Sequence, residues 1–404
     1  MILVLMQPII LSFCQVLLNG YLLRFSKLTN ILSIMVFRLL RPGSFSVWEN
    51  EEIFNRFSRY KGIIDGNQIA RYLIAKSIEC QFDINDSIEN LENILKEKSR
   101  EFNELIKKDI EDLENLSVVS QSYIHLAEFL ANKYLESCIF CERQCKVNRI
   151  DGKNGFCLVP KESYVSSTFL HMGEESVLIP SGTIFFQGCN FACVFCQNYD
   201  ISQAWKDKKN IEDVARKVTI RELATIAEKL VEKGAININY VGGDPIPNIH
   251  TIIGSLNFQQ SNICQLWNSN FFLTNKALSL IIDFMDFYLP DWKYGNNACA
   301  MKYSGIENYV DVVSRNHKRV HDEGSGEIII RHLVMPGHIE CCSKPILDYI
   351  AKELPNAVVN LMSQYRPQWK SFEYSEINRR PTSQEMQEVR GYADKLGILW
   401  KPVS

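Results

Sequence analysis

GTIFFQGCNFACVFCQN, residues 182–198, couples two patterns. Thr183 to Phe186 read as a buried β-strand, and Cys189, Cys193 and Cys196 follow it at C-x3-C-x2-C spacing. Three thiolates crowded into eight residues can hold three corners of a cubic iron–sulfur cluster. A fourth iron is then left without a protein ligand, open to something else. A zinc knuckle, or unrelated free thiols, would give the same triplet.

Outward from that strand, the chain alternates strands and helices to its end. Candidate strands are Thr183–Phe186, Ile236–Val241, Phe271–Leu273, Asp286–Leu289, Glu327–Val334 and Val358–Met362. One intervening helix is capped by Thr219 with Glu222 and closed by Gly234; Thr382 with Glu385 caps the last, which ends near Gly397. Such alternation implies a parallel sheet, and six or so units imply an α/β fold, a partial (β/α)6 TIM-like barrel over 177–404. In barrels of this kind the functional residues sit at the carboxyl ends of the strands.

The composition is that of an ordinary globular protein, 46% apolar and 23% charged over 404 residues. A net charge of −3 gives no electrostatic reason to expect nucleic acid. Seven of the 13 cysteines lie between Cys138 and Cys196, a clustering that points to metal ligands in a reducing cytoplasm rather than a disulfide framework. Cys14, Cys80, Cys264, Cys299, Cys341 and Cys342 have no ligand spacing and read as buried small hydrophobes. Residues 1–40 form an apolar N-terminal segment. Met1 to Leu23 carry no charge, and Arg24, Lys27, Arg38 and Arg41 follow. About 20 apolar residues can span a bilayer, but Gln7, Pro8, Ser12, Gln15 and Asn19 interrupt this run, and no basic region precedes it. A cytoplasmic protein is expected, the alternative being an anchor through residues 1–23 that faces the cytoplasm; Met35 would also serve as a start. Residues 41–135 form a helical extension: Asp86 with Glu89 reads as a capping box, and Ile88, Leu91, Leu95, Phe102, Leu105, Ile110 and Leu113 recur near helical spacing.

Several motifs fall where strands end. Gly242-Gly243-Asp244 follows one strand: two glycines allow close backbone approach to a ligand, and the carboxylate can receive an ammonium group. Asp291 and Lys293, two apart in extended chain, point to the same side, although an exposed ion pair would do the same. Arg331 suits bidentate contact with a carboxylate, while His332 and His338 have no acidic partner in sequence and read as structural. Gln364, Tyr365 and Arg366 close the last strand, and Arg331, Gln364 and Arg366 are the candidates to act on substrate. Upstream, in segment 136–176, Cys138, Cys141, Cys145 and Cys157 can close a tetrahedral zinc site or a fully ligated iron–sulfur cluster, with Gly152 and Gly155 letting the loop return the last thiol. Reduced free thiols or redox pairs remain open there.

Taken in order, CIFCERQCKVNR…GFC, GTIFFQGCNFACVFCQN, YVGGDPIP, WNSN, LPDWKYG, RHLVMPGH, NLMSQYRP and RRPT resemble the radical S-adenosylmethionine (SAM) group related to the pyruvate formate-lyase activating enzymes. The likeness covers Cys138 to the C-terminus. It implies a [4Fe-4S] cluster on Cys189, Cys193 and Cys196, whose open iron chelates SAM and whose electron cleaves it to a 5′-deoxyadenosyl radical. It further implies that Asp244, in place of the usual Glu, holds the amino group of SAM. Phe195, with a core position as its alternative, would lie against the adenine. By the same resemblance Gly242, Gly243, Asn268, Ser269, Asp291 and Lys293 belong to the SAM pocket. The ferredoxin-like insert that some activators carry after the triplet is absent here; the extra cysteines precede it.

The expected activity is therefore that of an activating-enzyme-like oxidoreductase. It would take an electron from a flavodoxin or ferredoxin and abstract hydrogen from a protein or peptide substrate. Radical modification of a small molecule or an RNA is the alternative enzyme reading. An iron–sulfur electron carrier would need neither an open iron nor a SAM-binding turn.

Overall fold

A computed structural model describes residues 46–108, 117–207, 209–325 and 327–403. Strand β1 (Ser163–His171) runs antiparallel to β2 (Ser181–Phe186), and a short β3 (Arg216–Val218) pairs antiparallel with β1. From β2 onward every pairing is parallel: β2 with β4 (Asn237–Gly242), β4 with β5 (Cys264–Ser269), and β5 with β6 (Phe287–Pro290). Strands β7 (Ile329–Leu333) and β8 (Val358–Met362) form a second parallel pair. Parallel bridges Tyr288–Ile328 and Asp291–Arg331 carry the arc from β6 across to β7. The result is the expected α/β partial barrel: six parallel strands in chain order. They read as near-continuous apolar runs because helices cover them outside and side chains fill them inside; β5 and β6 are buried at every position.

The helices between strands begin where their caps dictate. Thr219 with Glu222, and Thr382 with Glu385, each make the reciprocal pair of hydrogen bonds of a capping box. One expected cap is shifted. The helix over Ile88–Leu105 is capped by Ser87, whose side chain accepts from the Asn90 N–H. Asp86 instead turns its carboxylate to the Asp83 N–H and the Asn90 amide, closing the preceding turn. Leu91, Leu95 and Phe102 face the core as expected; Ile110, Leu113 and residues 1–40 lie outside the described residues.

A second correction concerns the third strand, expected at Phe271–Leu273. The strand is β5, which ends at Ser269, and Phe271 already has φ +61°. The apolar run is buried for another reason: it is a shelf for the cysteine-bearing segment upstream. Phe272 accepts from the Glu142 N–H, Thr274 donates to Phe140, and Leu273 bridges Cys141. Burial of that run comes from the docked segment, so its hydrophobicity did not require a sheet.

The helical extension covers the amino-terminal end of the barrel. Glu327, at the foot of β7, accepts from the backbone N–H groups of Arg59 and Tyr60 at 2.9 Å. Asp286, at the foot of β6, accepts from the Arg71 N–H at 2.8 Å, and Arg71 pairs with Asp283 at 3.5 Å. Among the described residues, the carboxyl ends of the strands are thus the end left open to hold a site. Among the described residues no helix is long and apolar enough to cross a membrane.

Candidate active site

The triplet is positioned by a contact between two backbones. Gly243 donates to Phe186 O and Asp244 to Gly188 O, so the turn after β4 is laced to the loop that carries Cys189. A Cβ on Gly243 would stand 2.1 Å from Gly188 O, and one on Gly242, at φ +129°, would stand 2.1 Å from Phe186 N. The close approach that these glycines permit is therefore to the neighbouring strand and loop; they also line the cavity described below.

Each sulfur of the triplet has a hydrogen-bonding partner. The Phe191 N–H reaches Cys189 Sγ at 3.3 Å, the Ser304 hydroxyl reaches Cys193 Sγ at 2.9 Å, and the Ser202 hydroxyl lies 3.1 Å from Cys196 Sγ. Burial pushes the Cys193 thiol up to about 12 and Cys189 well above its ordinary value. Such thiols need a metal to become thiolates, and donors to sulfur tune a cluster once it is held.

All three cysteines open onto one cavity of about 450 Å³ at the carboxyl ends of the strands. Phe195, Gly242, Gly243, Asp244, Asn268, Ser269, Asp291, Lys293, Arg331 and Gln364 line it too. Asp244 is buried, and its carboxylate accepts from the Ile246 N–H at 3.0 Å and the Asn270 N–H at 2.8 Å. Burial, against these bonds, raises it to about 7. Asn268 is 4% exposed and its Nδ2 has no hydrogen-bond partner, an orphan donor aimed at a site that expects a guest. Lys293 pairs with Asp291. Burial works to lower its ammonium, and Asp291 with Cys193 outweighs that, holding it above the usual lysine range. Phe195 is 3% exposed and packs edge-on to Tyr294 and against Tyr365, so it is a core aromatic with one side on the cavity.

The floor of the cavity was not legible in the sequence. The loop after β1 inserts Glu174 and Glu175 into the barrel, where Arg331 binds Glu175 through two bonds of 2.7 and 2.8 Å and also contacts Glu174. Asn360 donates to Glu175 at 2.7 Å and Asn239 to Glu174 at 3.1 Å. The carboxylates that Arg331 holds are thus the chain's own. Arg366 is exposed and stands outside the cavity lining, whereas Gln364 is on its rim. His332 and His338 are tied to structural partners: His332 to Trp292 O and the Ser343 hydroxyl, His338 to Pro336 O and the Tyr303 hydroxyl.

The four upstream cysteines occupy one loop beside this site. The neighbouring Cys145 thiol, with the Arg149 guanidinium 3.9 Å from Cys138 Sγ, holds the Cys138 thiol below its ordinary range, and burial raises Cys141 to about 12. A Cβ on Gly155 would stand 2.5 Å from Cys145 Sγ, so glycine lets the returning loop pass that sulfur without turning it aside. Arg143 joins the two cysteine groups. Its guanidinium stacks 3.6 Å from the Phe156 ring centre and donates to Asn190 and Gly305, next to the triplet loop and the helix that ends at Ser304.

Residues 183–350 match the model of the radical SAM superfamily. An uncharacterized protein of Methanocaldococcus jannaschii is 42% identical over 346 residues, 85% of this chain and 98% of that one. The chain belongs to the radical SAM superfamily. Among solved structures, a domain of the pyruvate-formate lyase-activating enzyme from Bacteroides vulgatus is 15% identical, with a TM-score of 0.34 over 41% of this chain and 96% of that one. A radical SAM methyltransferase from Sphaerobacter thermophilus is 12% identical, with a TM-score of 0.40 over 55% of this chain and 66% of that one. As a radical SAM enzyme, the chain takes a [4Fe-4S] cluster and SAM as its cofactors, and the site fits them. Three hydrogen-bonded sulfurs, a buried carboxylate and an orphan amide converge on a cavity within the usual range of roughly 300–1,000 Å³ for ligand sites.

Proposed function

We propose that this radical SAM enzyme abstracts hydrogen from a protein or peptide substrate, in the manner of the activating enzymes. The observation that carries the reading is the cavity itself. At about 450 Å³ it has room for one cofactor-sized guest, and its rim is formed by the exposed carboxamides of Gln197, Asn198 and Gln364. One residue of a larger chain could enter past that rim while its flanking backbone stays outside. Carboxamides both donate and accept, which suits the peptide groups on either side of that residue. Just outside, Tyr199 and Trp369 stack at 4.9 Å and offer an apolar shelf.

Within this reading Cys189, Cys193 and Cys196 hold the cluster, and Phe191, Ser304 and Ser202 donate to their sulfurs. When bound, the cluster supplies the electron that splits SAM into methionine and a 5′-deoxyadenosyl radical, which takes a hydrogen atom from substrate. Asp244 receives the ammonium of SAM, whose charge favours the ionised carboxylate against its burial. Asn268 donates its free N–H, Ser269 and the glycine turn shape the wall, and the Asp291–Lys293 pair faces the carboxylate end. Phe195 borders the adenine. Cys138, Cys141, Cys145 and Cys157 hold a second metal, zinc or iron–sulfur, and the electron comes from a cytoplasmic flavodoxin or ferredoxin.

The test is anoxic turnover with extract from deuterated cells, separated into macromolecular and small-molecule fractions. Deuterium should enter 5′-deoxyadenosine from the macromolecular fraction and vanish after protease treatment. Transfer from the small-molecule fraction alone, or survival of the signal through protease with loss to ribonuclease, would overturn the protein substrate. Undiminished 5′-deoxyadenosine formation by Cys193→Ala would overturn the assignment of the cluster.

A further inference from the structure

Three cysteines with no ligand spacing in the sequence meet in the fold. Cys299 lies in the first turn of the helix over Asn297–Ser304, and Cys341 and Cys342 lie in the wide turn Ile339–Ser343 after β7. Their sulfurs are all within 4.8 Å of one another. Only Cys342 of the three is buried; Cys299 is half-buried and Cys341 exposed, which departs from their reading as buried hydrophobes. None of them lines the SAM cavity.

The surroundings hold the three in place. Asn296 accepts from the Cys299 N–H at 2.8 Å, and its amide donates to Cys341 O at 2.8 Å and to Cys342 Sγ at 3.7 Å. Gly295 presses on the same turn, since a Cβ there would stand 2.6 Å from Cys342 O. Ser343, the next residue, is fixed by His332 at 2.8 Å. The turn itself is π-helical, a form found often at functional sites.

Around one tetrahedral ion with metal–sulfur bonds of about 2.3 Å, thiolates stand roughly 3.8 Å apart. The three sulfurs lie within 4.8 Å of one another, with Cys341 Sγ 3.9 Å from Cys342 Sγ, too close together for the corners of a cubane but suited to a single ion. Soft thiolate ligands select zinc-like ions over hard oxygen-seeking cations. We propose that Cys299, Cys341 and Cys342 are a third metal site of this chain, for one thiophilic divalent ion such as zinc, with the fourth position open to water on the exposed Cys341 side. Its ion would clasp the loop after β6 to the turn after β7. It would also fix the start of the helix whose last residue, Ser304, donates to Cys193. The site stands on its own three residues and does not depend on the substrate assigned above.

The full chain, purified without oxygen, tests this directly. Zinc and iron are measured on it and on Cys341→Ser, a change at an exposed position. In parallel, alkylation at each cysteine is followed by peptide mass spectrometry before and after zinc is added. The wild type should hold one more zinc per chain than Cys341→Ser at equal iron. Zinc should also slow alkylation of Cys299 and Cys341 together, by about tenfold or more, because a bound thiolate is no longer a free nucleophile. Equal zinc in the two proteins would overturn the site. So would alkylation indifferent to zinc, or a disulfide among the three in protein never exposed to oxygen.

Discussion

Asp244 combines two duties in one carboxylate. It accepts from two backbone N–H groups and, in the proposed complex, also meets the ammonium of SAM. Asp244→Asn keeps an oxygen acceptor and removes the charge. SAM affinity should fall by about 1.5–3 kcal/mol, roughly ten- to a hundredfold, with iron content unchanged. Equilibrium dialysis beside iron analysis separates the two effects, and unchanged affinity would leave Asp244 a turn residue alone. Ser304→Ala removes the donor to Cys193 Sγ. A thiolate stripped of a hydrogen bond gives up charge more readily, so the cluster potential should move down by a few tens of millivolts without loss of iron, as read by redox titration with electron paramagnetic resonance. At this scale legibility followed distance along the chain. Cys189, Cys193, Cys196 and Asp244 sit in local motifs and could be read directly. Ser304 donates to a cysteine 111 residues away, and Glu174 meets Arg331 across 157 residues, so nothing near either announces the contact.

Among the elements, β7 and the helix before it carry buried neutral histidines. Burial pulls His332 down to about 4 and His317 to about 3, from an ordinary 6.5. As pH falls from 6.5 toward 4, the unfolded chain takes up protons at these positions and the folded one does not. Stability that is fully present above 6.5 is therefore lost across that window. His332→Gln, which keeps an amide donor and acceptor for Trp292 O and Ser343, should flatten the slope by about one proton, or about 1.4 kcal/mol per pH unit. Urea titrations at a series of pH values measure it; parallel slopes for the two proteins would show that His332 is not kept neutral. Element positions were mostly legible because buried parallel strands and capping boxes have sequence forms. The one misplaced strand, at Phe271–Leu273, shows where that breaks down: an apolar run buried by a docked loop looks the same as one buried in a sheet.

For the molecule as a whole, the described extension seals the amino end of the barrel through Tyr60, Arg71 and Tyr123. A chain begun at Met35 should cleave SAM fully, whereas one begun at Glu136 should be insoluble. The latter would expose Glu327, Asp283 and Asp286 together with the apolar faces around them. Soluble yield and 5′-deoxyadenosine release compare the two, and an active chain begun at Glu136 would make the extension a separable unit. The sequence pointed to a helical cover but held no sign of which end it closes, since the hydrogen bonds that dock it link residues 160 to 268 positions apart. The seam of Gly188 with Gly243 carries a consequence for genetics. Its obstacle is main chain, which cannot rotate aside as a side chain can. Any replacement of Gly243 therefore displaces Cys189 and Asp244 at a stroke. In a random screen, alleles at this codon would score as defective in both cluster assembly and SAM capture, and no second-site change confined to either pocket wall would restore one trait without the other.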